Sequence, residues 1–182
     1  MFKTLKILVG QRNLLFQMTV RNVQLRYRGS NLGLLWAICS PLSMLAIYIF
    51  VFGFIFGGSF GVLENESAIQ YGLAIFIGLA VFQFVGEVLT TSPVVITSNT
   101  NFVKKIKFPL EILVFANVLV AGFGFILSYA LAITGTLIWG PEITPTILLI
   151  PLILVPLVLT VLGCALILAS IGVFFRDIGH IM

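Results

Sequence analysis

The sequence predicts an all-α, polytopic transmembrane protein with four crossings, and three observations carry that prediction. Of 182 residues, 60% are hydrophobic and 9% charged, against roughly 25% charged in an ordinary soluble domain. Four long stretches lack charge, each close to or above the ~20 apolar residues needed to span about 30 Å of hydrocarbon. Basic residues flank these stretches rather than interrupting them. Little chain remains for a soluble domain.

Residues 1–31 read as a cytoplasmic amphipathic interface helix and elbow. Phe2, Leu5, Leu8 and Val9, then Leu15, Phe16 and Thr19, recur at helical spacing, with Lys3, Lys6, Arg12 and Gln17 towards other faces. A disordered basic tail is the alternative, which the apolar content disfavours. A secretory signal does not fit, because basic residues run through the whole segment.

Residues 32–182 hold the crossings, expected near 32–58, 70–95, 111–138 and 147–173. The first run, uncharged from Leu32 to Phe60, is closed by Glu64 and Glu66. Ala68 to Gly86 is again uncharged, then Glu87 appears and the chain turns polar through Thr90, Thr91, Ser92, Thr97, Ser98, Asn99 and Asn101. The third run, Ile112 to Gly140, ends at Trp139-Gly140-Pro141, where an aromatic and a turn suit the membrane interface. The fourth lies within Ile143 to Phe175, and its prolines 145, 151 and 156 predict a kinked outer part or a start after the first of them.

Orientation follows from Lys and Arg in short loops, which resist translocation. Six basic residues (Lys3, Lys6, Arg12, Arg21, Arg26 and Arg28) precede the first crossing and three (Lys104, Lys105 and Lys107) lie between the second and third. The loops around Glu64 and Glu142 have none. Both termini and the middle loop are therefore expected on the cytoplasmic side. The net charge of +4 is this flanking charge, not a polar groove with stacking aromatics, which argues against nucleic acid.

The chain is poor in chemistry. It has one histidine, His180, and its two cysteines, Cys39 and Cys164, sit inside apolar runs as packing residues do. No Gly-rich phosphate loop, metal-ligand spacing or hydrolase nucleophile signature is present. Catalytic residues, metal and cofactor are therefore expected to be absent.

Three features remain. Glu87, counted from Tyr71, lies about 24 Å down its helix, in the cytoplasmic half. A charge at depth is costly, so it either serves a pathway or gate, or reaches headgroups or a basic neighbour. Gly53 and Gly57 make a GxxxG spacing, read more readily as helix packing within the chain than as a dimer face. In the middle loop, Asn99 to Glu111, Phe102, Val103 and Ile106 share a helical face beside Lys104, Lys105 and Lys107. That suits either a plain positive-inside anchor or a short helix docking on a cytoplasmic partner.

Three ordered motifs give the chain a resemblance. Arg21-Asn22, Arg26-Tyr27-Arg28, Ser30, Leu32-Gly33, Trp36, Pro41 and Phe50-Val51-Phe52 form one. Glu87, Asn99, Asn101, Lys104-Lys105, Phe108-Pro109 and Glu111-Ile112-Leu113 form the second, and Phe175-Arg176-Asp177-Ile178 the third. Together they resemble the permease subunits of ATP-binding-cassette exporters of lipid-linked polysaccharides such as O-antigen, capsule or teichoic acid.

The resemblance implies a homodimer of permease subunits in the bacterial inner membrane, without catalysis of its own, driven by separate nucleotide-binding ATPase subunits. It implies that Phe102, Val103, Lys104, Lys105, Ile106, Lys107 and Glu111 couple to that ATPase. Arg21, Arg26, Tyr27 and Arg28 would lie at the interface near lipid headgroups or the pyrophosphate of a lipid-linked glycan. Glu87 would be a pathway or gating residue, and Arg176 and Asp177 a cytoplasmic motif. Six crossings are expected in the full family fold, so four imply a chain whose C-terminal part is missing. Rival readings are an exporter of a drug or small lipid, a membrane-embedded glycan-processing enzyme, and an assembly subunit.

Overall fold

The structure, a computed structural model, describes residues 10–30, 32–61, 66–100, 108–140, 150–175 and 178. Every regular element among them is helical. Four helices are long and apolar enough to cross a membrane, Gly33–Ile55, Ala68–Val94, Glu111–Trp139 and Leu152–Phe174. This is an all-α, polytopic membrane protein. The Phe2 to Val9 stretch of the expected N-terminal helix lies outside the described residues.

Helix α1 runs Arg12–Tyr27 and has no acidic residue in its first turn and no side-chain N-cap. Its stability therefore comes from packing rather than from its ends. Arg28 is extended and Gly29 takes φ 94°, a left-handed position open to glycine that turns the chain away from the helix.

Helix α2, Trp36–Tyr48, follows a short 3₁₀ turn at Gly33–Leu35 and carries Pro41 internally. It continues into a π-helical segment, Ile49–Ile55. Gly57 stops the winding with φ 55°, and the N–H of Gly58 reaches back to the carbonyl of Phe52 at 3.2 Å. This is the glycine-ended closure common at helix C-termini, stretched by the wider winding.

Helix α3, Ala68–Thr91, begins with a reciprocal cap. The Ser67 N–H donates to Gln70 Oε1 at 2.9 Å, and the Gln70 N–H donates to Ser67 Oγ at 3.3 Å. Two backbone donors at the helix start are thereby satisfied. The other end is set by Pro93, which has no N–H and disfavours helical backbone at the residue before it. The chain accordingly tightens into 3₁₀ turns at Ser92–Val94 and Thr97–Asn99.

Helix α4, Glu111–Trp139, opens just after Pro109 with an acid in its first turn, where it complements the helix dipole. Its 29 residues measure about 43 Å, so it is tilted or projects beyond the hydrocarbon. Helix α5 is Ile150–Phe174 with Pro156 inside. Pro151 falls in its first turn, where a missing N–H costs nothing. The helix contains an internal proline, and Pro145 lies outside the described residues.

The chain divides into two compact units. One comprises residues 29–84 and 123–150, and its core is Leu45, Leu73, Phe76 and Ala132, flanked by Tyr48, Ile49, Ile69 and Ile77. Gly53 is buried there, and a Cβ on it would run into the carbonyl of Ala68. The glycine pair of the sequence is thus split in role: Gly53 lets α2 touch α3, and Gly57 ends a helix. Gln70 Nε2 also donates to the carbonyl of Trp139 at 2.8 Å, tying the start of α3 to the end of α4.

The other unit comprises residues 1–28, 85–122 and 151–182. Here Met18 of α1 is buried with Ile112, Leu113 and Ala116 of α4, and Leu14, Leu15, Val95, Phe108 and Leu110 pack around them. Burying one such methionine contributes about 1.5–3 kcal/mol. Phe16 departs from the expected apolar face, being 70% exposed while Leu15 and Thr19 are half-buried. Elsewhere in this unit Gly172 of α5 lies so close to Pro93 that an added Cβ would overlap the Pro93 carbonyl.

Candidate functional site

The second unit holds both charged side chains of the described membrane-spanning helices, Glu87 and Glu111. Arg26, in the last turn of α1, reaches Glu87, in the last turns of α3, 61 residues away in sequence. Nη1 donates to Oε1 at 2.5 Å and Nη2 to Oε2 at 3.3 Å. This forked pairing matches a planar guanidinium to a planar carboxylate and fixes direction as well as distance. It is the one ion pair among the described residues.

The pair is neither buried nor freely solvated, with side chains 45% exposed for Arg26 and 26% for Glu87. Partial burial by itself lowers the Arg26 pKa, but the hydrogen bond to Glu87, the Glu87 charge and a contribution from Tyr27 outweigh it and hold the value above the ordinary one. A raised cation pKa gives stability that is complete below the ordinary arginine range and fades only above it. Arg26 is therefore a permanent cation at any pH a cell meets.

The sequence left two kinds of reading for Glu87, and the structure gives it a basic neighbour. It also gives Arg26 a carboxylate partner in Glu87. Around the pair, the last turns of α3 fold their hydroxyls back onto the helix. Thr90 and Thr91 Oγ1 both donate to the Glu87 carbonyl, at 3.1 Å and 2.7 Å, and buried Ser92 Oγ donates to that of Val88 at 2.5 Å. Such back-bonding satisfies hydroxyls where water is scarce. Thr91 Oγ1 accepts from Asn117 Nδ2 of α4 at 2.8 Å, which binds α3 to α4 beside the ion pair.

The remaining expected site residues fall as follows. Tyr27 is half-buried, Arg28 and Arg21 are exposed, and Arg21 Nη2 donates to Asn22 Oδ1 at 3.2 Å. Glu111 is half-buried at the first residue of α4. Phe102, Val103, Lys104, Lys105, Ile106 and Lys107 lie outside the described residues, as do Arg176 and Asp177. Phe175 is exposed and its N–H closes α5 on the Ile171 carbonyl at 2.9 Å.

Met18, Thr91 and Asn117 belong to the assembly but were not singled out in the sequence. Asn117 was the findable one, as an amide inside a charge-free run where an unpaired polar group is costly. What the arrangement does chemically is to join α1, α3 and α4: apolar at Met18, ionic at Arg26, and by an amide–hydroxyl bond at Asn117.

Residues 13–182 match the family model described as ABC-2 type transporter. Among curated proteins, the chain is 27% identical over 169 residues to the O-antigen export system permease protein RfbA of Klebsiella pneumoniae, covering 91% of this chain and 61% of that protein. A protein of the same name from Myxococcus xanthus is 26% identical over 182 residues, covering 100% of this chain and 67% of that protein. A second such Klebsiella pneumoniae protein is 27% identical over 167 residues, covering 91% and 61%. The chain thus spans about three-fifths to two-thirds of the length of the curated relatives it matches. With a family match running almost from end to end and four apolar helices beneath it, the chain belongs to the ABC-2 type transporters.

Proposed function

We propose that this chain forms the membrane pathway of a permease subunit in an ABC-type exporter that moves a lipid-linked polysaccharide across the bacterial inner membrane. The observation that carries the proposal is its likeness, over 91–100% of its length, to proteins named O-antigen export permeases. ATP hydrolysis belongs to a separate nucleotide-binding subunit, and two permease subunits assemble around the pathway. The basic residues before α2 and between α3 and α4 support an orientation with both termini and the middle loop in the cytoplasm.

In this reading the segment from Asn99 to Glu111 is the contact for the ATPase. Phe102, Val103 and Ile106 supply an apolar face, and Lys104, Lys105 and Lys107 supply charge for acidic groups or lipid phosphates. Arg21, Arg26, Tyr27 and Arg28, in the second half of α1 and just after it, are assigned to the lipid-headgroup interface. Arg176 and Asp177 follow α5 on the same cytoplasmic side.

Copurification tests the reading. The whole polypeptide carrying these residues, tagged and expressed with the host's nucleotide-binding subunit, brings that subunit down. Replacing Phe102 and Ile106 together by Asp lowers the recovered subunit by at least about tenfold, because two carboxylates would be desolvated at an apolar contact. Equal recovery with the parent and the double variant contradicts the coupling role.

A further inference from the structure

Helix α1 is fastened at two places, and the fastenings lie on different helices. Near its middle, Met18, with Leu14 and Leu15, is seated on Ile112, Leu113 and Ala116 at the base of α4, with Phe108 and Leu110 on the approach to that helix. Near its end, Arg26 is forked onto Glu87 of α3. Eight residues separate Met18 from Arg26, which is about 12 Å along a helix. All of these residues belong to the same compact unit.

The two fastenings do different work. An apolar seat is non-directional, so Met18 and its neighbours hold α1 down without fixing its heading. A forked guanidinium–carboxylate pair is directional. Because the pair is partly exposed, it contributes little to net stability, and it can open and remake without unfolding the helices around it. Glu87 in turn depends on Arg26, since a carboxylate in a membrane helix needs a partner.

We propose that Arg26 and Glu87 are a positioning pair that fixes the heading of α1 between the base of α4 and the end of α3, so that a displacement of one base is passed to the other through α1. Neither residue needs to touch the transported molecule. The proposal rests on the permease reading for its consequence in transport, but its structural content stands independently.

The test uses the whole polypeptide with its nucleotide-binding subunit, in four forms: parent, Arg26→Glu, Glu87→Arg, and the two changes combined. In proteoliposomes each single variant lowers the glycan moved per ATP hydrolysed about fivefold, and the combined variant recovers at least half of the parental ratio. Arg26→Lys, which keeps the charge and loses the fork, falls between them. A merely structural role would lower the yield of folded protein without changing that ratio.

A second measurement needs no transport. Spin labels at Phe16 and Val94, both exposed in this unit, and introduced after removal of Cys39 and Cys164, report the separation of α1 from the segment after α3. The distance distribution broadens at least about twofold in each single variant, as a directional contact is lost, and narrows again in the combined one. Single variants with the parental distribution overturn the proposal, as does a combined variant no better than either single. If the parent moves no glycan, the permease reading fails, and the distance measurement still decides the pair.

Discussion

Replacing Gly172 by leucine is expected to destabilise the chain by about 3 kcal/mol, the upper range for overpacking a tight contact. The reason is local. Gly172 is buried, and the first atom of any side chain there meets the backbone carbonyl of Pro93, which cannot rotate away. Pro93 is itself held, because it sits in the 3₁₀ turn that ends α3, beside Ser92, whose side chain is fully buried. To accept leucine, α5 must move off α3. Thermal unfolding in detergent should show a fall of about 5–10 °C in apparent melting temperature. Gly163→Leu is the control on the same helix, since a Cβ there meets nothing within 4 Å. Equal behaviour of the two variants contradicts the packing described for this unit.

Replacing Ile112 by aspartate is expected to release α1. Ile112 is 0% exposed and lies in the cluster that seats Met18. An isolated carboxylate there costs several kcal/mol or takes up a proton, and either way the seat is lost. Because α1 has no side-chain N-cap and no acid in its first turn, nothing local replaces that packing. Tryptic cleavage after Arg12, Arg21 or Arg26 tracks the population in which α1 is open, so it should accelerate on the order of a hundredfold. Ile112→Val, which removes one methylene, should change it less than about tenfold. Unchanged cleavage in the aspartate variant contradicts the docking of α1 on α4.

Much of this architecture is legible in the sequence, for a physical reason. A bilayer excludes charge over a fixed thickness, so charge-free runs such as 32–60 and 112–140 mark crossings without knowledge of what packs on what. The cap at Ser67 and Gln70 and the stop at Pro93 are equally local. What escapes is whatever depends on partners. In α1 Phe16 and Leu15 are equally apolar, yet Leu15 turns towards Met18 and Phe16 does not. Periodicity cannot choose between them, because lipid accepts an apolar face as readily as protein does. The π winding at Ile49–Ile55 and the close approach of Gly53 to Ala68 are features that no composition rule contains.

The site divides in the same way. Arg26 stands out as a charge before the first crossing and Glu87 as the acid within the second, but their pairing across 61 residues is a product of folding. The pairing adds to their meaning, because each charge has a partner within the fold. In the further inference Arg26 becomes part of the frame that orients α1.

Translocation in a reconstituted bilayer decides whether the chain works as an exporter permease. The whole polypeptide carrying these residues and its nucleotide-binding subunit are placed in proteoliposomes loaded with a lipid-linked polysaccharide from the same host. Its appearance at the opposite face is followed with an antibody against the glycan. Under the proposed function, transfer requires ATP hydrolysis and stops with a non-hydrolysable analogue. ATP hydrolysis without any glycan at the far face would contradict it.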